Sequence, residues 1–183
     1  MNSSKIKQLT TMGILIAISI ILIISPLRFP FPAAPFLEYD AGDIPILMGG
    51  FIFGPLAGIL LSVVTSIVQA VTVSSGSGWI GCVMHIFAAS ALVGVSSAIY
   101  SRNRNMKGLI TGLICGSLAM AAVMIPLNLI FYPLFAGTPV DAVIAMIVPI
   151  LLPFNLMKAG INSVLFLLIF KSAGNLLLRL TQK

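Results

Sequence analysis

Long apolar stretches alternate with short polar or proline-rich segments along the whole 183-residue chain. A first helix is predicted over Thr11–Ser25. Residues 44–73 carry no charged side chain, and this stretch is too long for one ordinary span of about 20 residues. The sequence Phe53-Gly54-Pro55 near its middle therefore predicts two helices joined there, with proline in the first turn of the second. Further membrane helices are predicted over residues 79–100, 108–131 and 152–178.

Two segments interrupt this apolar pattern. Residues 26–43 contain four prolines, which exclude a regular helix and predict a long ordered loop. Three of the four acidic residues of the chain lie in the same loop, namely Glu38, Asp40 and Asp43. After Tyr132, glycine and further prolines divide an apolar stretch, so a short helix or a re-entrant segment is predicted around Val140–Val148.

The composition indicates the class of protein to which these segments belong. Hydrophobic residues make up 59% of the chain and charged residues 8%, and the mean hydropathy is +1.15. The pattern predicts an all-α polytopic membrane protein with six transmembrane helices, in which residues 1–183 form a single transmembrane domain. The first apolar run resembles a signal peptide, but the equally apolar remainder favours a retained helix. The basic residues form no stripe with interleaved aromatics, which favours contact with anionic lipid over nucleic-acid binding.

The positions of the charges predict the orientation in a cell membrane. Basic residues collect on the cytoplasmic side of membrane proteins, and six crossings place three basic clusters there, together with both termini. These clusters are Lys5 with Lys7, then Arg102, Arg104 and Lys107, and finally Arg179 with Lys183. The same topology places all four acids, including Asp141, on the outer side.

Lys158 is the clearest candidate for a functional group, because an ionisable residue within a membrane helix is costly. Asn155 and Asn162 lie three residues before and four residues after it, on the same helical face. Asn128 is predicted near the outer end of its own helix. With acceptors from Glu38 and Asp40, these donors predict an outward-facing pocket for a heteroaromatic ligand with hydroxyl or imide-type edges. The alternative is that Lys158 extends to the interface and the asparagines only link helices.

Other candidate chemistry is weaker. Cys82 and His85 have the spacing of a metal pair but lack further ligands, so we predict no metal site and a packed, hydrogen-bonded histidine. Walker A, HExxH and GxSxG motifs are absent from the sequence, which disfavours an enzyme and assigns any ATP hydrolysis to another chain. Gly13 and Ala17 form a small-xxx-small pair that permits close approach of another helix, either within the bundle or from a partner.

Three segments carry a resemblance to a known family. They are Phe29-Pro30-Phe31-Pro32 with Leu37–Pro45, then Phe53-Gly54-Pro55-Leu56-Ala57-Gly58, and Leu152-Pro153-Phe154-Asn155-Leu156-Met157-Lys158. The chain resembles the S components, or substrate-binding subunits, of energy-coupling factor (ECF) vitamin transporters, in particular those of the riboflavin type. The resemblance covers nearly the whole chain, including its length and helix count.

The resemblance implies a six-helix S component that captures riboflavin, or also FMN, from outside and needs no cofactor beyond this transported ligand. Its partners would be a transmembrane coupling subunit, docked at Gly13 and Ala17, and two ATPase subunits. Gly13 stands where the family has alanine, which leaves the register of this docking face open. The flavin would be bound by Asn128, Asn155 and Lys158 and covered by the first loop, with Leu37, Glu38, Tyr39 and Asp40. Alternatives are an S component for thiamine, pantothenate or a folate, an intramembrane enzyme, and a self-contained channel.

Overall fold

The computed structural model describes residues 3–73 and 75–181. Lys183 of the third basic cluster lies outside the described residues, as does the side chain of Arg179. The described chain is mostly helical. Its helices are α1 (Ser3–Ile24), α2 (Asp43–Phe53), α3 (Pro55–Thr72), α4 (Gly78–Arg102), α5 (Met106–Ala136), α6 (Val140–Met146) and α7 (Leu152–Thr181).

The six predicted membrane helices are confirmed. Within the described residues, five helical stretches are long and apolar enough to cross a membrane, the last of them combining α6 and α7. The sixth is α2, an apolar helix of 11 residues with a length of about 16 Å. The boundary predicted at Phe53-Gly54-Pro55 is also correct, since α2 ends at Phe53 and α3 begins at Pro55.

The short helix α2 lies at the centre of the bundle, in contact with α1, α3, α4 and α7. Its residues from Asp43 to Phe51 are all buried, so it is surrounded by protein and not by lipid. Glycines allow this dense packing. A Cβ atom on Gly50 would collide with the Val93 side chain, and a Cβ atom on Gly58 would lie 2.9 Å from the Gly50 Cα atom.

The α4–α5 contact is equally close and makes a prediction for stability. A Cβ atom on Gly112 would lie 2.5 Å from the Ser96 backbone oxygen, which cannot move without shifting α4. We expect Gly112→Ala to reduce the free energy of unfolding by about 1–3 kcal/mol through overpacking, measured as a lower Tm in detergent. Gly160→Ala is the matched control, because no atom lies within 4 Å of that Cβ position. An unchanged Tm for Gly112→Ala would contradict the close packing.

The proline-rich segment forms a β-hairpin, which the loop prediction missed. Strand β1 (Phe29–Phe31) pairs antiparallel with β2 (Ala34–Tyr39), and Pro30 lies opposite Glu38. A proline cannot donate to a β-ladder, but in a two-stranded ribbon both strands are edges, so the missing donor can face outward. The hairpin follows α1 and leads directly into the N-terminus of α2.

Three helix boundaries also differ from the predictions. Helix α1 begins at Ser3 and not at Thr11. Helix α5 continues through Pro133 to Ala136 and ends at Gly137, whose φ of 63° is the left-handed conformation typical of a helix C-terminus. The short helix predicted near Val140 is confirmed as α6. It continues through one π-helical turn, Ile147–Leu151, into α7. This turn contains Pro149, which has no N–H for a regular helical hydrogen bond.

Candidate ligand-binding site

A buried ion pair joins the hairpin end to α7. The Lys158 Nζ atom lies 2.8 Å from the Asp40 Oδ2 atom, and the two residues are only 7% and 3% exposed. Lys158 therefore does not extend to the membrane interface. The alternative interpretation of this lysine as an interfacial residue is wrong, because its ammonium group pairs with a buried carboxylate.

Asn162 connects three elements around this ion pair. Its Nδ2 group donates to the Asp40 backbone oxygen at 3.1 Å and to the Asp43 Oδ2 atom at 3.0 Å, and its Oδ1 atom accepts from the Tyr39 hydroxyl at 2.9 Å. Both hydrogens and the oxygen of the amide are thus used. The predicted common face of Lys158 and Asn162 is confirmed, and it holds the hairpin and the start of α2 against α7.

The hairpin groups have shifted acidities. Burial alone would raise the pKa of the Asp40 carboxyl, but the charge of Lys158, its hydrogen bond and the Gly42 amide outweigh burial and lower the pKa below the ordinary 3.8. Burial, reinforced by the charges of Asp40 and Asp43, raises the pKa of Tyr39 above the ordinary 10.0. At neutral pH Asp40 is therefore charged, and Tyr39 keeps the hydrogen that it donates.

This lowered pKa predicts the pH dependence of stability. A carboxyl with a lower pKa in the folded state contributes stability that is complete above its unfolded-state pKa and is lost as the pH falls through the folded-state value. For Asp40 this contribution is constant above about pH 4 and decreases at lower pH. We expect Asp40→Asn to have a lower Tm than wild type at pH 7 and a smaller difference at pH 3, measured in acid-stable detergent. A constant difference would contradict the assignment.

His85 is packed and hydrogen-bonded, as predicted. Its Nδ1 atom lies 2.7 Å from the Ser66 Oγ atom on α3, and its Nε2 atom lies 3.7 Å from the Asp43 Oδ1 atom. Across the described residues, no group of three or more His, Cys, Asp and Glu side chains is arranged to hold a metal ion.

Two cavities meet at His85. The inner cavity, of about 120 Å³, has apolar walls and four polar groups; it is lined by Met84, Ala88, Ala89, Met120, Met124, Phe154, Asp43, His85, Asn155 and Lys158. The outer cavity, of about 440 Å³, lies under the hairpin between α3 and α4 and is more polar. Its polar residues are Arg28, Glu38, Ser66, Gln69, Ser77, Cys82 and His85. Concave apolar sites with a few convergent polar groups are typical of small-molecule binding.

The structure brings most of the predicted site residues together. Asn155 lies on the inner cavity beside Lys158, and Asn128 faces Asn155 across a narrow gap between α5 and α7. Each of these amides donates to a carbonyl of its own helix, Asn128 to Met124 at 2.7 Å and Asn155 to Leu151 at 2.7 Å. Their oxygens are left for other donors.

The four predicted hairpin residues have different positions. Tyr39 and Asp40 belong to the buried network, whereas Glu38 is ion-paired with Arg28 at the outer cavity. Leu37 is half-buried and does not line either cavity. Glu38 and Asp40 therefore do not act as equivalent acceptors, because strand β2 ends at Tyr39 and Asp40 lies beyond it, in the buried connection to α2.

Asp43 and Ser66 belong to the site but were not among the predicted ligand-binding residues. Asp43 had a signal, since it is an acid immediately before a fully apolar helix and a charge there needs a partner. Ser66 had none, because a lone serine in an apolar helix is ordinary.

Gly13 and Ala17 lie on an exposed face of α1. No atom lies within 4 Å of the Cβ position of Gly13. Their predicted alternative, ordinary packing within this bundle, is wrong, because the side of α1 that packs inward carries Ser19 and Ile23.

A helical membrane bundle with a buried polar site beneath a hairpin is typical of a membrane substrate-binding component. The chain belongs to the family of ECF transporter substrate-specific components, whose model matches residues 7–170. It is therefore a multi-pass membrane protein of a transporter family.

Named relatives and a solved structure resemble the chain over most of its length. The riboflavin transporter RibU of Staphylococcus aureus (strain TCH60) is 33% identical, covering 98% of this chain and 97% of the relative. The riboflavin transporter FmnP of Bacillus subtilis (strain 168) is 31% identical, covering 91% of each chain. A structure reported as "Structure and mechanism of the S component of a bacterial ECF transporter" superposes with a TM-score of 0.81 at 32% identity, covering 94% of this chain and 98% of that one.

Proposed function

We propose that this protein captures riboflavin from outside the cell as the substrate-binding component of an ECF importer. The observation that carries the proposal is the buried ion pair of Lys158 with Asp40, because Lys158 also lines the inner cavity, whose walls are mostly apolar. An ammonium group has three hydrogens, and one of them is used by Asp40. The remaining two are available to carbonyl oxygens of a ligand in the inner cavity. The names of the relatives agree with a flavin as that ligand.

The two cavities match the two parts of riboflavin. Methionine, alanine and phenylalanine side chains wall the inner cavity, and such surfaces suit a flat aromatic ring. The outer cavity has polar groups from the hairpin, α3 and α4, which suit a chain of hydroxyls. The ring system would lie inside with its polar edge toward Lys158, Asn155 and Asn128, and the ribityl chain would extend beneath the hairpin, with Tyr39 and Asp40 closing the site.

The proposed orientation in the membrane rests on the distance along α4 between His85 at the site and Arg102 in the basic loop. Arg102 lies 17 residues beyond His85 on α4, which corresponds to about 25 Å along the helix axis. The Arg102 end is therefore on the far side of the bundle from the site. Because basic loops face the cytoplasm, the cavities would open outward and the N-terminus would be inside. The exposed Gly13–Ala17 face of α1 would dock on a transmembrane coupling subunit, with two ATPase subunits supplying the energy.

Titration of the purified protein tests the proposal. Riboflavin should be bound at one site per chain, measured by quenching of flavin fluorescence in detergent, and FMN should be compared in the same assay. Thiamine, pantothenate and folate are the competitors. Binding of one of them without any flavin binding would overturn the riboflavin assignment.

Two experiments separate the other classes. A chemically altered flavin after incubation, detected by mass spectrometry, would indicate an enzyme. Uptake into vesicles that contain this chain alone would indicate a self-contained channel or carrier. We expect neither, because the proposed delivery step depends on separate coupling and ATPase subunits.

A further inference from the structure

Two buried hydrogen-bonding atoms face each other without a partner at the wall of the inner cavity. The Asp43 Oδ1 and His85 Nε2 atoms are 3.7 Å apart, and neither makes a hydrogen bond. Asp43 is 1% exposed, and both residues line the inner cavity. Buried polar atoms are almost always paired, so this pair calls for an explanation.

The hydrogen bonds around His85 determine which ring nitrogen carries its hydrogen. Ser66 has a single hydroxyl hydrogen, and it is donated to the Ser62 backbone oxygen at 2.7 Å. We therefore assign the hydrogen of the imidazole to Nδ1, the tautomer that fits both contacts, in which His85 Nδ1 donates to the Ser66 Oγ atom at 2.7 Å. In a neutral imidazole with hydrogen on Nδ1, the Nε2 atom is an acceptor.

Asp43 contributes a second acceptor to the same place. Its Oδ2 atom already accepts from the Asn162 amide at 3.0 Å, which sets the direction of the carboxylate and leaves Oδ1 toward His85. An ionised carboxylate oxygen can only accept. Two acceptors at this separation cannot satisfy each other, so the pair needs a donor from outside the protein.

We propose that Asp43 and His85 form a donor-selective subsite that binds an N–H or O–H group of the captured ligand. The inference rests on the proposed function for the identity of that ligand. Riboflavin has both kinds of donor, the imide N–H of its ring and the hydroxyls of its ribityl chain. The subsite complements Lys158, which donates within the same cavity. Lys158 would bind acceptor atoms of the ligand, and Asp43 and His85 would bind a donor group. A ligand with an acceptor at this position is excluded, since buried acceptors would then remain unpaired.

The variant Asp43→Asn distinguishes this subsite from a structural contact. An asparagine can keep its oxygen toward Asn162 and turn its NH₂ group toward the His85 Nε2 atom, which satisfies both atoms without a ligand. We expect the ligand-free protein to have a higher Tm than wild type and its riboflavin affinity to be at least tenfold lower. Asp141→Asn, at an exposed acid on α6, is the control and should change neither quantity. If Asp43 and His85 instead form a closed ion pair, Asp43→Asn will lower the Tm and leave the affinity unchanged, which would overturn the proposal.

His85→Gln provides a second variant. The glutamine amide can donate to Asp43 and so occupy the subsite from within the protein. We expect the same loss of affinity in this variant, whereas unchanged affinity would count against the subsite.

Ligand analogues identify which donor is bound. The probes are 3-methylriboflavin, which lacks the imide hydrogen, and lumiflavin, which lacks the ribityl hydroxyls. Wild type should bind riboflavin more tightly than the analogue that has lost the bound donor. In Asp43→Asn the ratio of these two affinities should be about tenfold smaller. Equal discrimination by wild type and variant for both analogues would mean that only water occupies the gap. Failure of wild type to bind riboflavin would instead overturn the proposed function, while the Tm of the ligand-free variant tests the subsite independently.

Discussion

Lys158→Ala is expected to reduce riboflavin affinity by about 10- to 100-fold, since a hydrogen bond from a charged donor to the ligand contributes about 1.5–3 kcal/mol. The variant removes the donors that face the inner cavity. It also leaves the Asp40 carboxylate buried without its counter-charge. Among the described residues, the Gly42 amide is then the remaining hydrogen-bond partner of that side chain. Fluorescence titration of the purified variant measures the loss.

Two further variants separate binding from folding. Lys171→Ala removes an exposed lysine from the same helix and should bind riboflavin like wild type. The double variant Lys158→Met with Asp40→Asn removes both charges together, and replacing a buried pair by uncharged groups is often neutral for stability. We expect this double variant to recover the Tm lost by Lys158→Ala but not the affinity. Recovery of both would mean that Lys158 only supports the fold.

Ala17→Trp is expected to reduce riboflavin uptake in cells to background while riboflavin binding by the purified protein is unchanged. The side chain of Ala17 lies on the exposed face of α1 and does not line either cavity, and a small residue there permits close helix contact. An indole ring would hold a coupling subunit away from α1. The measurements are radiolabelled riboflavin uptake by cells that also express the coupling module, and titration of the purified variant.

Ile130→Trp is the control for this docking face. Ile130 is an exposed residue of α5, two positions from Asn128, so an indole ring there should face lipid. We expect normal uptake and normal binding. Full uptake by Ala17→Trp would contradict docking through this face of α1.

The helices were predictable because each one must satisfy its own backbone hydrogen bonds in lipid. Because of that requirement, the apolar pattern and the helix boundary at Gly54 can be predicted from the sequence alone. It does not apply to the segment between α1 and α2, which lies outside the apolar helices. The β-hairpin at Phe29–Tyr39 was missed because its strands are short, contain prolines and are held by the contact of Tyr39 with α7.

The site residues show the same division. Lys158 and Asn155 were identified from the cost of a charge in the membrane and from helical spacing. Glu38 and Asp40 were equivalent on that reasoning, yet Asp40 is buried against Lys158 whereas Glu38 pairs with Arg28. Only the folded structure separates these two acids, because it ends strand β2 between them and turns the chain at Asp40 into the bundle.

By itself, the sequence determined the membrane class and the number of helices, and it predicted the side on which the polar groups collect. These properties depend on transfer of each segment into lipid, which is local along the chain. The tertiary structure decided which groups meet. Asp40 and Lys158 are 118 residues apart in the chain, and Asp43 meets His85 only because α2 is buried beside α4. Such partners are selected by packing and by the need to pair buried charges. Both depend on contacts between residues that are far apart in the sequence.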